Sequence, residues 1–425
     1  MRRIRVHAVA VLLAIPLAAV AAREASAAKF KVLHSFCHQG KFACLDGKSP
    51  AANLVADAAG NLYGTTSAGG ATGNGVIFAM IRSGKTYKYQ VLHSFDGAAE
   101  GGVPITPLII DTAGNLYGTA TADGSNFGGT VFELSPNSDH TQWTYKVLIN
   151  FCTNETGAGC IAGSVAESAL TYAGSSTGAP YDGTSPLYGT TLQGVSSPGV
   201  VYQLTPNGAN WTGQTIYQFC SQTNCTDGAF PDGQIAVDTL GKTVYGTTNG
   251  GGDINGDGVA YKVDIASHTG TVLHTFCSEA SCTDGQGSLG GVTLASDATV
   301  VGSTPLGGAN GGGTVFRLNA KSGKEKVLYS FCSQSNCTDG QAPDAAPTPV
   351  GASFVGTASG GTPNFDGVVF RVDGGKETVL HTFCQEVDCT DGSLPIGVVL
   401  NSDGHLYGVT QRGGKRNAGV IYQLK

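Results

Sequence analysis

Beyond residue 29 the chain alternates short apolar runs with stretches of Gly, Asn, Asp, Ser and Thr. The runs are roughly five residues long and rich in Val, Ile, Tyr and Phe, which favours strands over helices. No window in this region carries a convincing helical spacing. The runs recur in a fixed order. Val32-Leu33-His34-Ser35-Phe36 returns in segments ending at Phe95, Phe151, Phe219, Phe276, Phe331 and Phe383, spaced by 59, 56, 68, 57, 55 and 52 residues. Leu62-Tyr63-Gly64-Thr65-Thr66 returns at Tyr117, Tyr188, Tyr245 and Tyr407, with weaker copies at Val301 and Val355. A looser Gly-x-Val-Phe-x-Leu begins at Gly75, Gly129, Gly199, Gly258, Gly313, Gly367 and Gly419. Three landmarks, each in seven copies and one order, define a repeat of about fifty residues.

Each unit reads as four short strands. The first is apolar, as in Gly291–Ser296. A tight turn follows, as in Asp57-Ala58-Ala59-Gly60-Asn61, where Asp and Asn bond their own backbone and Gly supplies positive φ. The second strand holds Tyr-Gly-Thr-Thr. A long Gly-rich loop leads to the third, and a short turn such as Ser322-Gly323-Lys324 leads to the fourth. Four antiparallel strands repeated seven times predict an all-β fold, a seven-bladed β-propeller of four-stranded antiparallel blades. A β-solenoid is the rival, but its coils need shorter periods. The phase predicts the closure. The mature chain begins with a fourth-type strand, Phe30 to Phe36, and ends with a third-type strand, Gly419 to Leu424. The last blade is therefore closed by the N-terminal strand, which hides an exposed sheet edge.

Composition narrows the class. The 64 Gly and 16 Pro of the 425 residues suit turns and loops, and a charged fraction of 13% suits blades packed on both faces. A net charge of −7 with few Lys and Arg argues against a nucleic-acid partner. Met1-Arg2-Arg3-Ile4-Arg5, the apolar run Ala8–Ala22 and Ala25-Ser26-Ala27 have the three-part form of a secretory signal peptide. The run is short for a membrane span, and no later stretch suits one. The expected organisation is a signal peptide at 1–27 and one propeller domain at 28–425. The chain stops at Lys425 directly after a strand, so no C-terminal anchor is expected. A secreted or periplasmic, cell-envelope monomer follows.

The 12 cysteines fall as Cys37/Cys44, Cys152/Cys160, Cys220/Cys225, Cys277/Cys282, Cys332/Cys337 and Cys384/Cys389. Each pair follows a fourth-strand Phe, and the Phe95 repeat has none. Pairs that vanish together predict six local disulfides, which export permits. Zinc is the rival, but pairs on separate blades do not converge.

Val32 to Phe36, Gly60 to Thr66 and Gly128 to Phe132 together resemble the tandem GloVer repeat of exported bacterial proteins, over essentially the whole mature chain. The resemblance implies a propeller-like protein outside the cytoplasm. It implies no catalytic residues.

Candidate chemistry is sparse. His34, His93, His274 and His381 share a repeat position with Ile149, Tyr217 and Tyr329, so packing is expected there. Asp227, Asp284, Asp339 and Asp391 recur in Cys-Thr-Asp-Gly, with Asp46 and Asp96 comparable, and Asp-Gly is an ordinary turn pair. Asp253-Ile254-Asn255-Gly256-Asp257-Gly258 matches the start of a calcium loop, with Asp253, Asn255 and Asp257 as ligands, but the twelfth position is Asp264. Calcium is the one cofactor considered. No Gly-x-Ser-x-Gly elbow stands out and no His-Glu-x-x-His occurs. Trp143 and Trp211 share a register that suggests outer-strand packing. Carboxylates from different blades have room to meet at the ring centre. The second-to-third and fourth-to-first loops emerge on one face, and the opposite face is expected to hold only tight turns. Loops on a rigid scaffold are where binding resides. The leading expectation is a non-catalytic binding or interaction scaffold for a glycan, a protein or a surface component. The enzyme alternative is a hydrolase or lyase with a site at the channel mouth.

Overall fold

A computed structural model of the chain describes residues 29–40, 43–152, 160–296, 299–361 and 366–425. The signal-peptide reading of 1–27 lies outside these residues. Seven sheets form the propeller ring, each built on four antiparallel strands from innermost to outermost, with Cys160–Ala162 adding parallel to the edge of blade 2. Blade 1 is Val55–Ala56, Leu62–Thr66, Val76–Ser83 and Thr86–Ser94. Blades 2 to 6 repeat the plan with outermost strands Trp143–Cys152, Asn210–Gln218, Thr269–Thr275, Glu325–Ser330 and Lys376–Thr382. Blade 7 takes Ser393–Leu400, Leu406–Arg412 and Val420–Leu424 from the C-terminus and Phe30–Ser35 from the N-terminus. Phe30 pairs with Leu424, Val32 with Tyr422 and Ser35 with Val420. The closure is the one the repeat phase predicts.

The landmarks are the contacts between blades. Each fourth-strand Phe is buried, and its ring meets the third-strand aromatic of the next blade edge-on. The centroids are 5.3 Å apart for Phe36–Phe78, 5.5 Å for Phe95–Phe132, 4.8 Å for Phe219–Tyr261 and 5.2 Å for Phe383–Tyr422. Edge-to-face pairs are a favoured aromatic geometry. The Gly of Tyr-Gly-Thr-Thr seats the same ring: a Cβ on Gly302 would lie 2.6 Å from Phe316 Cζ.

Two features of the outermost strands are new. Every one carries a bulge at the residue before the His/Tyr/Ile position, for example at Leu33, Leu92 and Leu273. A bulge bends the strand and re-aims its side chains. The His position then stacks on the residue six before the Phe of the following blade. His34 lies on Tyr89 at 3.9 Å, His93 on Tyr145 at 4.3 Å and His381 on Phe30 at 3.8 Å, all nearly coplanar. Gly270 fills this position opposite Tyr217, where a Cβ would stand 2.4 Å from the ring.

In the last two copies this position is acidic, Glu325 and Glu377. Both keep a buried Oε1 with no hydrogen-bond partner among the described residues. Burial first, then Asp284 and Glu279 for Glu325 and Asp339 for Glu377, pushes both carboxyls up to about 7. Their protonated forms stabilise the fold below the unfolded value of 4.5, and that contribution is lost as pH rises to about 7. Glu325→Gln and Glu377→Gln should therefore raise the melting temperature at about pH 8 and leave it nearly unchanged at about pH 4. The gain is about 1–2 kcal/mol each after solvent screening. A gain of equal size at both pH values would refute this account.

Candidate functional site

On the segment that enters every innermost strand one residue adopts left-handed backbone geometry. These are Ser49, Val103, Val165, Phe230, Gly287, Ala342 and Leu394, with φ between 54° and 60°. Such angles are unfavourable for β-branched Val. The surroundings enforce them. Each N–H donates to the preceding blade, to the carbonyl just before the third-landmark Gly. Ser49 reaches Ala418 at 2.9 Å, Val103 reaches Asn74 at 3.0 Å and Leu394 reaches Asp366 at 3.0 Å. Seven such rungs link neighbouring blades around the ring.

The second residue after each rung lines the central channel. The seven are Ala51, Ile105, Leu289 and Ile396, which are apolar, and Glu167, Asp232 and Asp344, which are acidic. They enclose a cavity of 310 Å³ at the end facing the disulfide loops. Carboxyls from blades 3, 4 and 6 thus share one space, and no His, Lys or Arg is among its described lining. Burial pushes each up to about 6, with Asp232 adding to the effect on Glu167. Asp232 accepts one bond, from its neighbour's Gly233 N–H at 2.6 Å. Asp344 Oδ1 is buried with no partner among the described residues. These acids are the site residues that the sequence analysis missed. A signal existed: Asp232 and Asp344 both stand five residues after the Asp of Cys-Thr-Asp-Gly.

The opposite face departs from expectation. It is not only tight turns, because blade 3 carries a long first-to-second connection between Tyr172 and Leu187. Tyr181 on this loop exchanges backbone bonds with blade 2, its N–H to Ile110 O and its O from Thr112 N, each 3.0 Å. The loop's turn Ser175–Thr177 reaches the innermost strands of blades 4 and 5, across the lower end of the channel. Gly174-Ser175-Ser176-Thr177-Gly178 does have Gly-x-Ser-x-Gly spacing. It folds as a single 3-10 turn between two positive-φ glycines rather than between a strand and a helix, so it is no nucleophile elbow. A larger cavity of 810 Å³ lies on this face, lined by Tyr63, Tyr172, Asp57 and Asp111 among others. Its Asp carboxylates are committed to their own turns: Asp57 accepts from Asn61 N at 2.8 Å and Tyr63 Oη at 3.0 Å, and Asp111 from Asn115 N at 2.8 Å.

The recurring His and Asp belong to one motif. His34 Nε2 lies 3.1 Å from Asp46, His274 3.0 Å from Asp284, and Tyr217 and Tyr329 donate to Asp227 and Asp339 at 2.8 and 2.7 Å. His93, whose repeat lacks cysteines, meets Glu100 instead at 3.0 Å. The same buried Asp accepts backbone N–H groups of its loop, as Asp284 does from Ser278 at 3.0 Å and Glu279 at 3.3 Å. The histidines are thus packed, as their repeat position suggested, and also paired with a carboxylate. His381 is the exception, 3.8 Å from Asp391, and burial pushes its imidazole down to about 4.

The disulfides Cys37–Cys44, Cys220–Cys225, Cys277–Cys282, Cys332–Cys337 and Cys384–Cys389 close these loops locally. Cys152 is also disulfide-bonded, and the side chain of Cys160 lies outside the described residues. Among the described residues two clusters have three potential metal ligands, Asp257 with Cys277 and Cys282, and Asp366 with Cys384 and Cys389. Both cysteine pairs are oxidised, so neither supplies a thiolate. In the calcium-like loop, Asp253 accepts from Asn255 N at 2.9 Å and Gly256 N at 3.0 Å. Asp257 is buried and accepts from Gln286 Nε2 at 2.8 Å. Asp264 binds the N–H of Ser267, at 2.8 Å, in its own hairpin. All three carboxylates are engaged by the chain itself. Trp143 and Trp211 pack in outer-strand clusters, as their register suggested.

Fold and site together define a seven-bladed propeller with an acidic channel mouth on its disulfide face and a loop-crossed end opposite. The chain belongs to the Gloeobacter/Verrucomicrobia repeat family, whose repeat matches residues 19–185 and 168–370. No curated protein matches its sequence. Among solved structures, it is similar to the extracellular domain of a hybrid two-component system from B. thetaiotaomicron, with TM-score 0.53 and 11% identity over 94% of this chain and 42% of that one. It is also similar to a structure described as a 6-phosphogluconolactonase from Bacteroides uniformis, with TM-score 0.49 and 12% identity over 78% and 84% of the two chains. These likenesses concern the fold alone. Among the described residues no helix is long and apolar enough to cross a membrane.

Proposed function

We propose that this chain is an exported, non-catalytic binding scaffold that holds its ligand, a glycan or a protein, on the disulfide-loop face over the channel mouth. One observation carries the reading. Of eight exposed large hydrophobics among the described residues, six stand on that face: Leu45, Phe127, Phe230, Ile254, Leu306 and Val387. Ile254, Val387 and Phe127 are 98%, 83% and 80% exposed, at the tips of loops from blades 4, 6 and 2. Exposed apolar side chains on the loop tips of one face of a rigid ring favour that face as the one that binds. Paired cysteines across the chain and an N-terminus with signal-peptide form support export.

A hydrolase or lyase is the second reading. The three channel carboxyls pushed up to about 6 favour it, since raised acids can serve as proton donors. No His is among the described lining of this cavity. The experiment is a glycan array and pull-down with the mature protein, against the triple variant Phe127→Ser, Ile254→Ser, Val387→Ser. Capture should fall at least about tenfold in the triple variant. It should be unchanged in Leu240→Ser, which removes a side chain 73% exposed on the opposite face. Capture equal in both variants contradicts the proposal.

A further inference from the structure

The cavity of 810 Å³ at the loop-crossed end exists because one blade breaks the repeat. Six blades pass from innermost to second strand in a short turn, and blade 3 inserts the segment 173–186. Three walls come from ordinary parts of the fold. Blade 7 gives Leu400, blade 1 gives Val55 and Tyr63, and blade 2 gives Ile109 and His140. The insertion adds the fourth wall, with Tyr172, Ala179 and Pro180. It is held firmly. The Tyr181 ring is buried edge-on to Tyr117 at 5.4 Å, beside its backbone bonds to blade 2. Tyr172 Oη donates to Ala179 O at 2.6 Å across the loop. The space is therefore formed before any ligand enters, as small-molecule sites usually are, and its volume is within their range. An insertion confined to one repeat is also where repeat proteins commonly place a binding site.

We infer that this cavity is a second binding site, separate from the disulfide face, for a neutral aromatic small molecule lying against Val55, Ile109 and Leu400 with a ring against Tyr172. The lining decides the charge of the ligand. Its two carboxylates are already saturated by their own turns, Asp57 with three hydrogen bonds and Asp111 with four. A cation therefore finds no acceptor in need of a partner. No Lys or Arg is among the described lining, so an anion meets two carboxylates and no fixed counter-charge. The apolar wall, by contrast, is left open. Val55, Ile109, Ile110 and Val399 are only half-buried, and Leu400 is 40% exposed. Covering wet apolar wall in a concavity is favourable. The half-buried Tyr172 ring offers an aromatic partner the stacked or edge-on geometries that such pairs prefer. This site goes beyond the disulfide-face reading and does not rest on it, since a glycan or a protein is the ligand there.

The probe is N-phenyl-1-naphthylamine, whose emission rises in apolar surroundings, titrated into the disulfide-intact mature protein. At about pH 8 the exposed His140 imidazole is neutral. The expected result is one saturable site with Kd on the order of 10 µM. The matched anion is 8-anilinonaphthalene-1-sulfonate, which carries the same rings and a sulfonate. It is expected to bind at least about tenfold more weakly. Leu400→Asp places a charge on the wall and should weaken the neutral probe at least about tenfold. Its melting temperature should stay near the wild-type value, because Leu400 is partly exposed already. Leu240→Asp alters a side chain 73% exposed on the same face but outside this cavity, and should leave binding unchanged. No saturable rise up to about 100 µM probe, equal binding of the sulfonate, or equal weakening by Leu240→Asp would each overturn the inference. The Phe127→Ser, Ile254→Ser, Val387→Ser protein separates the two claims. It should still bind the probe while losing the face ligand, so each can fail without the other.

Discussion

Removing Phe30–Phe36 should lower the melting temperature by about 10 °C or more, far beyond the effect of shortening an exposed hairpin. The strand pairs with Val420–Leu424 along its length, and without it that edge is bare. Phe36 is fully buried and stands edge-on to Phe78, 5.3 Å away in blade 1. Losing one buried Phe side chain costs about 3–5 kcal/mol, and this deletion also removes the Phe30 stacks on His381 and Tyr422, at 3.8 and 5.5 Å. The ring then opens between blades 7 and 1, where the rung from Ser49 to Ala418 also sits. The control trims the turn within Asn137–Gln142, which is exposed throughout. Thermal melts of the two proteins decide it. Equal melting temperatures would contradict closure by the N-terminal strand.

Gly313→Ala should destabilise the protein by about 3–5 kcal/mol, although it adds a single methyl group. Gly313 has φ +91°, which a side chain tolerates poorly. Its added Cβ would also stand 2.3 Å from Thr304 O and 2.8 Å from Pro343 Cδ of the next blade. Neither neighbour can yield, since one is backbone of the second strand and the other is the ring behind the Ala342 rung. Gly311→Ala is the matched control. Its φ is +76°, yet a Cβ there meets nothing within 4 Å, so only the backbone term of about 1–2 kcal/mol applies. Denaturant unfolding of both variants measures the difference. Equal losses would show that the close approach at Gly313 is unimportant.

Gly313 also illustrates what was legible. A residue forced by backbone geometry in every blade leaves the same letter at the same phase, and so does a Phe that fills the same inter-blade slot. The paired cysteines were legible for the same reason. The bulge position keeps Leu33, Leu92, Leu148, Leu273, Leu328 and Leu380, with Ile216 in the remaining copy, but that letter did not reveal the bulge, because an apolar residue reads alike in regular and bulged pairing. Without the bulge, His34 could be read as packing but not as the partner of Asp46. The channel ring was hidden differently. Its position holds Ala, Ile, Glu, Asp, Leu, Asp and Ile in turn, so a search for repeated chemistry passes over it. The blade 3 loop is a single insertion, visible only as the 68-residue spacing, and its route across the channel depends on tertiary packing.

The central claim is that the disulfide-loop face, and not the loop-crossed face, receives the ligand. Hydrogen exchange of the mature protein, with and without the strongest ligand from the array, tests it most directly. The account expects protection in the loops around Phe127, Ile254 and Val387 and along the rungs at Phe230 and Ala342. Protection confined to the Tyr172–Leu187 loop and the turns at Asp57 and Asn401 would contradict it.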